Sequence, residues 1–153
     1  MAASKTFDTY VDGLNDVLRA FRNLPKEATQ ELRQASATIA DKYMAPAWRE
    51  AAITFAGPWG EEIAASVRVR RDRVPAVNIG GARKKFSGGA SPTMVRYLSD
   101  KGDQGRAGAR NRAPKAFGSG TDWMGNVKEK YAPQATQEWA RAVDRIVMKW
   151  STL

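Results

Sequence analysis

The residues with most to say about chemistry are basic and crowd into the middle third of the chain. Residues 1–62 carry a net charge of −2, residues 63–118 carry +10 and residues 119–153 carry +1. Within the middle lie Arg68 and Arg70, then Arg83, Lys84 and Lys85, then Arg106, Arg110, Arg112 and Lys115. Cations grouped in this way attract a polyanion or an acidic protein surface. No reading helix carries them, so they suit phosphates rather than base edges. The alternative is a solvated face that serves solubility.

Other chemistries lack their parts. The chain has neither cysteine nor histidine, which removes disulfides, Cys/His zinc sites, thiol catalysis and His-based triads. The stretch from Gly80 to Gly89, GGARKKFSGG, lacks the G-x-x-x-x-G-K-[ST] spacing of a phosphate-cradling loop. Gly118-Ser119-Gly120 is no nucleophile elbow, since its flanks do not fit and no histidine activates Ser119. Glu61 and Glu62 are the one adjacent acidic pair, and neighbours on a helix point apart. The expectation is a non-enzyme with no cofactor and no metal.

The elements that would position the cations follow from periodicity. Phe7, Tyr10, Val11, Leu14, Val17, Leu18 and Phe21 recur at helical spacing, predicting a helix over 8–22 with Thr6 or Asp8 as its cap. Pro25 suits a first helical position, and Leu32, Ala35, Ser36, Ile39, Ala40 and Tyr43 form an Ala-rich stripe. These predict a long spine helix to Met44, stopped or kinked by Pro46, with WREAAITFA able to continue as a further helical turn or two, so that the helical part spans 8–56. Trp48, Phe55 and Trp59 crowd a corner marked by Gly57-Pro58 and Gly60, predicting a plug at one end of the core.

From Ile63 the period changes. Ser66-Val67-Arg68-Val69-Arg70 alternates polar with apolar, which predicts a half-buried strand with its arginines outward. Arg71-Asp72-Arg73 supplies a turn, and Val74 to Ile79 a return strand, late-starting or at an edge because of Pro75. The hairpin thus spans about 63–80. Thr93 to Ser99 fits either helix or strand. Residues 100–121 are rich in glycine and basic residues and almost devoid of apolar ones, which predicts a long flexible loop. Ala135, Trp139, Ala142, Val143, Ile146 and Trp150 predict a C-terminal helix over 133–150. The fold class is α+β in a single domain, 1–153. No apolar run approaches the ~20 residues of a membrane span, and the first ten residues lack a signal-peptide pattern. The expectation is synthesis in the cytoplasm.

The N-terminal two-thirds resembles the tail-completion, or head–tail joining (neck), proteins of long-tailed, non-contractile bacteriophages. Gly13-Leu14, Leu18 and Leu24-Pro25 match a "GL…L…L…LP" helix pair. Ala45-Pro46 matches an Ala-rich helix ending in "AP", and Gly60 with Ser66-Val67-Arg68-Val69 matches a turn into an "S-[IV]-x-[VI]" strand. Val95-Arg96-Tyr97-Leu98 is a loose counterpart of a "YA…EFGT"-like segment, without its acidic residue or Phe-Gly. The resemblance implies a virion structural protein that forms a homo-oligomeric ring, a hexamer in expectation, around the DNA channel. Its partners would be the head connector or adaptor and the tail terminator or tail tube protein. Genomic DNA would meet the basic residues, with no membrane involved. Trp48, Trp59, Trp139 and Trp150 would then contribute to subunit contacts. Two other classes fit the residues: a free, sequence-independent DNA-binding protein, and a regulatory or toxin–antitoxin adaptor whose basic loop folds on an acidic protein.

Overall fold

The computed structural model describes residues 5–8, 13–81, 91–101 and 123–152. The order of elements is β1 (Lys5–Asp8), α1 (Leu14–Arg22), α2 (Lys26–Ile39), a π-helical turn (Ala40–Met44) and α3 (Ala45–Phe55). A 3₁₀ turn (Gly57–Trp59), α4 (Gly60–Ala65), β2 (Arg68–Arg70), β3 (Ala76–Ile79), α5 (Pro92–Lys101) and α6 (Trp123–Ser151) follow. The strands form one antiparallel sheet of order β1-β3-β2. The fold is α+β.

The helical pattern that begins at Phe7 yields to sheet pairing. Phe7 stands opposite Val77 and Lys5 opposite Ile79, so α1 starts six residues later than expected, at Leu14. Gly13 sets that start with a left-handed φ of 74°, a conformation glycine adopts without steric cost. Its carbonyl accepts the N–H groups of Asp16 and Val17, both at 3.1 Å. β3 consequently lies in the middle of the sheet. Pro75 precedes it and removes no ladder bond, which is why the strand starts at Ala76.

Pro25 sits just outside α2, at its N-cap, and the spine does not run unbroken to Met44. Backbone bonding loosens to the π pattern over Ala40–Met44, and a new helix starts at Ala45 with Pro46 in its first turn. A proline has no N–H to give to the carbonyl four residues back. The wider turn absorbs that loss, so the chain continues as helix through Phe55 rather than stopping.

α4 replaces the expected first part of the hairpin, so strand structure begins at Arg68 rather than Ile63. α4 meets α3 very closely: a Cβ on Gly60 would stand 2.4 Å from the Ala52 carbonyl oxygen and 2.8 Å from Ile53 Cα. The segment from Thr93 to Ser99 resolves to helix, within α5. Of the predicted loop at 100–121, Asp100 and Lys101 belong to α5, and residues 102–122 lie outside the described residues.

The largest difference is α6, which spans 29 residues with Pro133 in its interior. Trp123, Val127, Tyr131, Ala135 and Trp139, each four residues apart, are all buried. Interior proline costs about 3 kcal/mol, whereas burying each large apolar side chain contributes about 1.5–3 kcal/mol. Three such side chains precede Pro133, so packing outweighs the broken bond. Trp48 lies against Trp123 at 5.8 Å between ring centroids, edge to face, and its Nε1–H donates to the Tyr131 hydroxyl at 3.1 Å. α6 thereby spans the core from the α3 corner to α2.

At its far end α6 is tied to α2 by an ion pair between Lys149 and Glu31. The hydrogen bond from Lys149 holds the Glu31 carboxyl below its ordinary value, against a smaller opposing effect of desolvation. A depressed carboxylate contributes stability that is present above its unfolded pKa and lost as pH falls through its folded pKa. The pair is exposed, so the effect on stability is small. Titration by NMR should show Glu31 moving back up toward the ordinary carboxylate range in Lys149→Gln. A second outcome concerns Gly60→Ala, which forces backbone apart between α3 and α4. It should lower stability by about 1–3 kcal/mol or more, measured by denaturant unfolding.

Candidate basic interface

The β2–β3 hairpin presents part of the basic middle on a rigid base. Arg68 and Arg70 are two residues apart on β2 and both are exposed, while Val69 between them faces Val77. The alternation read from the residues therefore holds. The connecting segment brings Arg71, exposed, and Arg73, half-buried. Asp72 organises it, accepting the Arg73 N–H at 2.7 Å and pairing with Arg70 Nε at 3.6 Å. That pair is solvent-exposed and weak, leaving the hairpin tip with a surplus of positive charge.

Two hydrogen bonds fix the tip to the helices, and a third ties the two helices to each other there. Ser36 Oγ donates to the Arg73 carbonyl at 3.0 Å, and Trp139 Nε1–H donates to the same oxygen at 2.8 Å and to Ser36 Oγ at 3.2 Å. The base of the hairpin is closed by Ser66, whose Oγ accepts the Gly80 N–H at 2.8 Å. Arg68 folds back over the end of α4, donating through Nη1 to the carbonyls of Ala65 and Val67. Arg70, held to Asp72, and Arg71 are the exposed arginines on the outer edge of this hairpin.

A second cationic group is buried and serves the fold. Arg96 is only 4% exposed and donates through Nη1 to the Ile79 carbonyl at 3.0 Å. Burial draws its guanidinium below the usual value while nearby Asp100 acts in the opposite sense. Asp100 accepts the Met124 N–H at 2.8 Å, and Trp123 Nε1–H donates to Ser99 Oγ at 3.0 Å. α5 therefore clasps β3 to the start of α6 and joins the two flanks of residues 102–122. An Arg and an Asp four apart were visible in the chain, but only after Pro92–Lys101 is known to be helical do they share a face.

The remaining expected site residues divide plainly. Arg83, Lys84 and Lys85 lie in 82–90, and Arg106, Arg110, Arg112 and Lys115 in 102–122, both outside the described residues. Of the tryptophans assigned to subunit contacts, Trp48 and Trp139 are fully enclosed in the chain's own core. They hold helices together and offer no surface to a neighbour, which corrects that expectation. Trp59 and Trp150 are half-buried and pack against the core. Among the described residues no group of three or more His, Cys, Asp or Glu side chains gathers to hold a metal ion. None of the described helices is long and apolar enough to cross a membrane.

No family model, no characterised protein and no solved structure matches this chain.

If the hairpin meets phosphates, its contribution is countable. Each phosphate contact adds about 0.9 to the slope of log K against log salt on duplex DNA. The variant Arg70→Gln with Arg71→Gln should therefore reduce that slope by about 2 while leaving sequence preference unchanged, as read by fluorescence anisotropy on unrelated duplexes.

Proposed function

We propose that this protein is a structural subunit of the neck of a long-tailed, non-contractile bacteriophage, joining the head connector to the tail around the DNA channel. The observation that carries the reading is the combined layout: a leucine-bearing helix pair, an Ala-rich helix running into Ala45-Pro46, the Gly60 turn and the Ser66-Val67-Arg68-Val69 strand, in that order along one chain. The α+β fold with a short sheet flanked by helices suits such a subunit. In this reading the chain is not an enzyme and requires no cofactor. Its copies form a ring, hexameric by resemblance, between the connector or adaptor proteins and the tail terminator or tube protein. The protein is made in the host cytoplasm and ends in the virion.

The concentration of charge gives the basic segment its role. Arg70 and Arg71 on the hairpin, with Arg83, Lys84, Lys85, Arg106, Arg110, Arg112 and Lys115 elsewhere in the middle third, supply cations for DNA passing through the channel or for an acidic face of an adjoining ring. The same charge favours one further reading, a free protein that binds nucleic acid irrespective of sequence. Six to ten phosphate contacts would then lose about 10³–10⁵ in affinity between about 50 and 200 mM salt.

Cross-linking mass spectrometry on intact virions separates these readings. Lys84, Lys85, Lys101 and Lys115 should cross-link to connector or tail-end proteins. Absence of the chain from purified particles would overturn the neck assignment and leave salt-dependent DNA binding as the account of the basic segment.

A further inference from the structure

The sheet ends in two edges. Its order is β1-β3-β2, so among the described residues no strand pairs with the outer side of β1 or of β2. The register shows which backbone groups those sides present. Pairs along an antiparallel ladder alternate between hydrogen-bonded and non-bonded. A non-bonded Arg70–Ala76 pair would draw on the N–H of residue 75, which is proline. Arg68 and Arg70 are therefore the residues bonded to β3, and Val69 turns its N–H and carbonyl to the outer side. Along β3 the same alternation aims Val77 and Ile79 at β1, where they stand opposite Phe7 and Lys5. Thr6 and Asp8 thus turn their backbone groups outward.

We propose that the β1 edge of one copy of this chain pairs in parallel with the β2 edge of the next, continuing the sheet from subunit to subunit. This rests on the ring reading above and names the strands that would build it. Both strands run antiparallel to β3 and so parallel to each other, which lets the step repeat head to tail. In a parallel ladder a residue bonds to the two residues that flank its neighbour. Val69 set beside Phe7 gives its N–H to the Thr6 carbonyl and accepts the Asp8 N–H, the groups that face outward. The faces of the sheet must match, so this register can move only by two residues. Phe7 beside Val67 fails, because the Val67 N–H already donates to the Ala64 carbonyl at 3.2 Å and the Val67 carbonyl accepts from Arg68 Nη1. Phe7 beside Arg71 sets Asp8 against Asp72.

In the register that remains, the rows are Lys5 with Val67, Thr6 with Arg68, Phe7 with Val69 and Asp8 with Arg70. One opposite-charge pair forms and no like-charge pair does. Arg70 also pairs with Asp72 of its own chain, an exposed contact that yields at little cost. A two-fold β2–β2 contact about Val69 is disfavoured, since it sets Arg68 against Arg70 in two rows. Arginines on a short edge discourage strands that lack a matching carboxylate, and this chain's own β1 carries one, Asp8, in the fitting row. That is the argument for a second copy as the occupant. The two edges differ, so the contact is heterologous and either closes as a ring or extends as a filament.

Within one chain β1 and β2 stand two strand spacings apart, about 10 Å, beyond the reach of a disulfide. The chain has no native cysteine, so cross-links between these strands report contacts between copies. Thr6→Cys is placed in one full-length preparation and Arg68→Cys in another. Under mild oxidation their mixture should give a disulfide-linked dimer well above the yield of either alone, and a chain with both cysteines a covalent ladder whose closed product counts the subunits. Adding Arg70→Glu to the Arg68→Cys chain should cut the mixed yield about fivefold, and adding Asp8→Arg to the Thr6→Cys chain should then restore it. Restoration separates a contact between copies from damage to the fold. No mixed dimer, an equal yield from Thr6→Cys alone (a β1–β1 contact), or no restoration by the charge swap would each overturn the proposal. Presence in virions tests the neck reading alone, so the two failures are distinguishable.

Discussion

The Arg73 carbonyl oxygen, held by Ser36 Oγ and Trp139 Nε1–H together, is the point on which α2, α6 and the β2–β3 hairpin converge. Residues 36, 73 and 139 are far apart in the chain, and Ser36 and Trp139 are buried. A buried hydroxyl and an indole N–H without partners would each carry a desolvation penalty of about 1–3 kcal/mol. Placing a backbone carbonyl between them satisfies both donors and fixes the height and direction of the hairpin. The arginines of β2 and the turn owe their position to this junction rather than to each other.

The opposite end of α6 is governed by aromatic packing. Trp123, Trp48 and Tyr131 form a cluster in which rings meet edge to face or tilted, with one indole–phenol hydrogen bond inside it. Aromatic pairs of this kind stabilise beyond their buried area, by about 0.5–1.5 kcal/mol. α5 then adds polar restraints through Arg96, Ser99 and Asp100. The result is a scaffold whose charged hairpin and charged middle segments are attached to a well-anchored core.

Legibility from the chain differed from element to element for physical reasons. The alternation around Val67 and Val69 was clear because one face of β2 is buried and the other is wet, the condition under which a period of two is imposed. The Ala-rich stripe of α2 was equally clear. The strand at Lys5–Asp8 was hidden because Phe7 also fits the helical spacing of the residues after it, and only the need of β3 for a second partner decides between them. α4 was read as the start of a strand because six residues are too few to establish a helical period. α6 was read short because Pro133 is a helix breaker locally, while the buried four-residue row on both sides of it overrides that preference. For the candidate interface, Arg68 and Arg70 stand where alternation placed them, but the expected surface role of Trp48 and Trp139 fails. Tryptophan spacing says that a ring is near a core, not whether that core is its own chain's or is shared.

Composition and periodicity by themselves determined the α+β class, the absence of thiol and imidazole chemistry, and the confinement of excess positive charge to the middle third, since these depend on residue identity and local spacing alone. Only the tertiary structure decided which elements break their local rules. It put a proline inside α6, a π turn before Pro46, β3 at the centre of the sheet, and a buried Arg96 beneath Ile79. Each is a local cost offset by contacts between residues distant in the chain, and no window of neighbouring residues contains both the cost and the contact that offsets it.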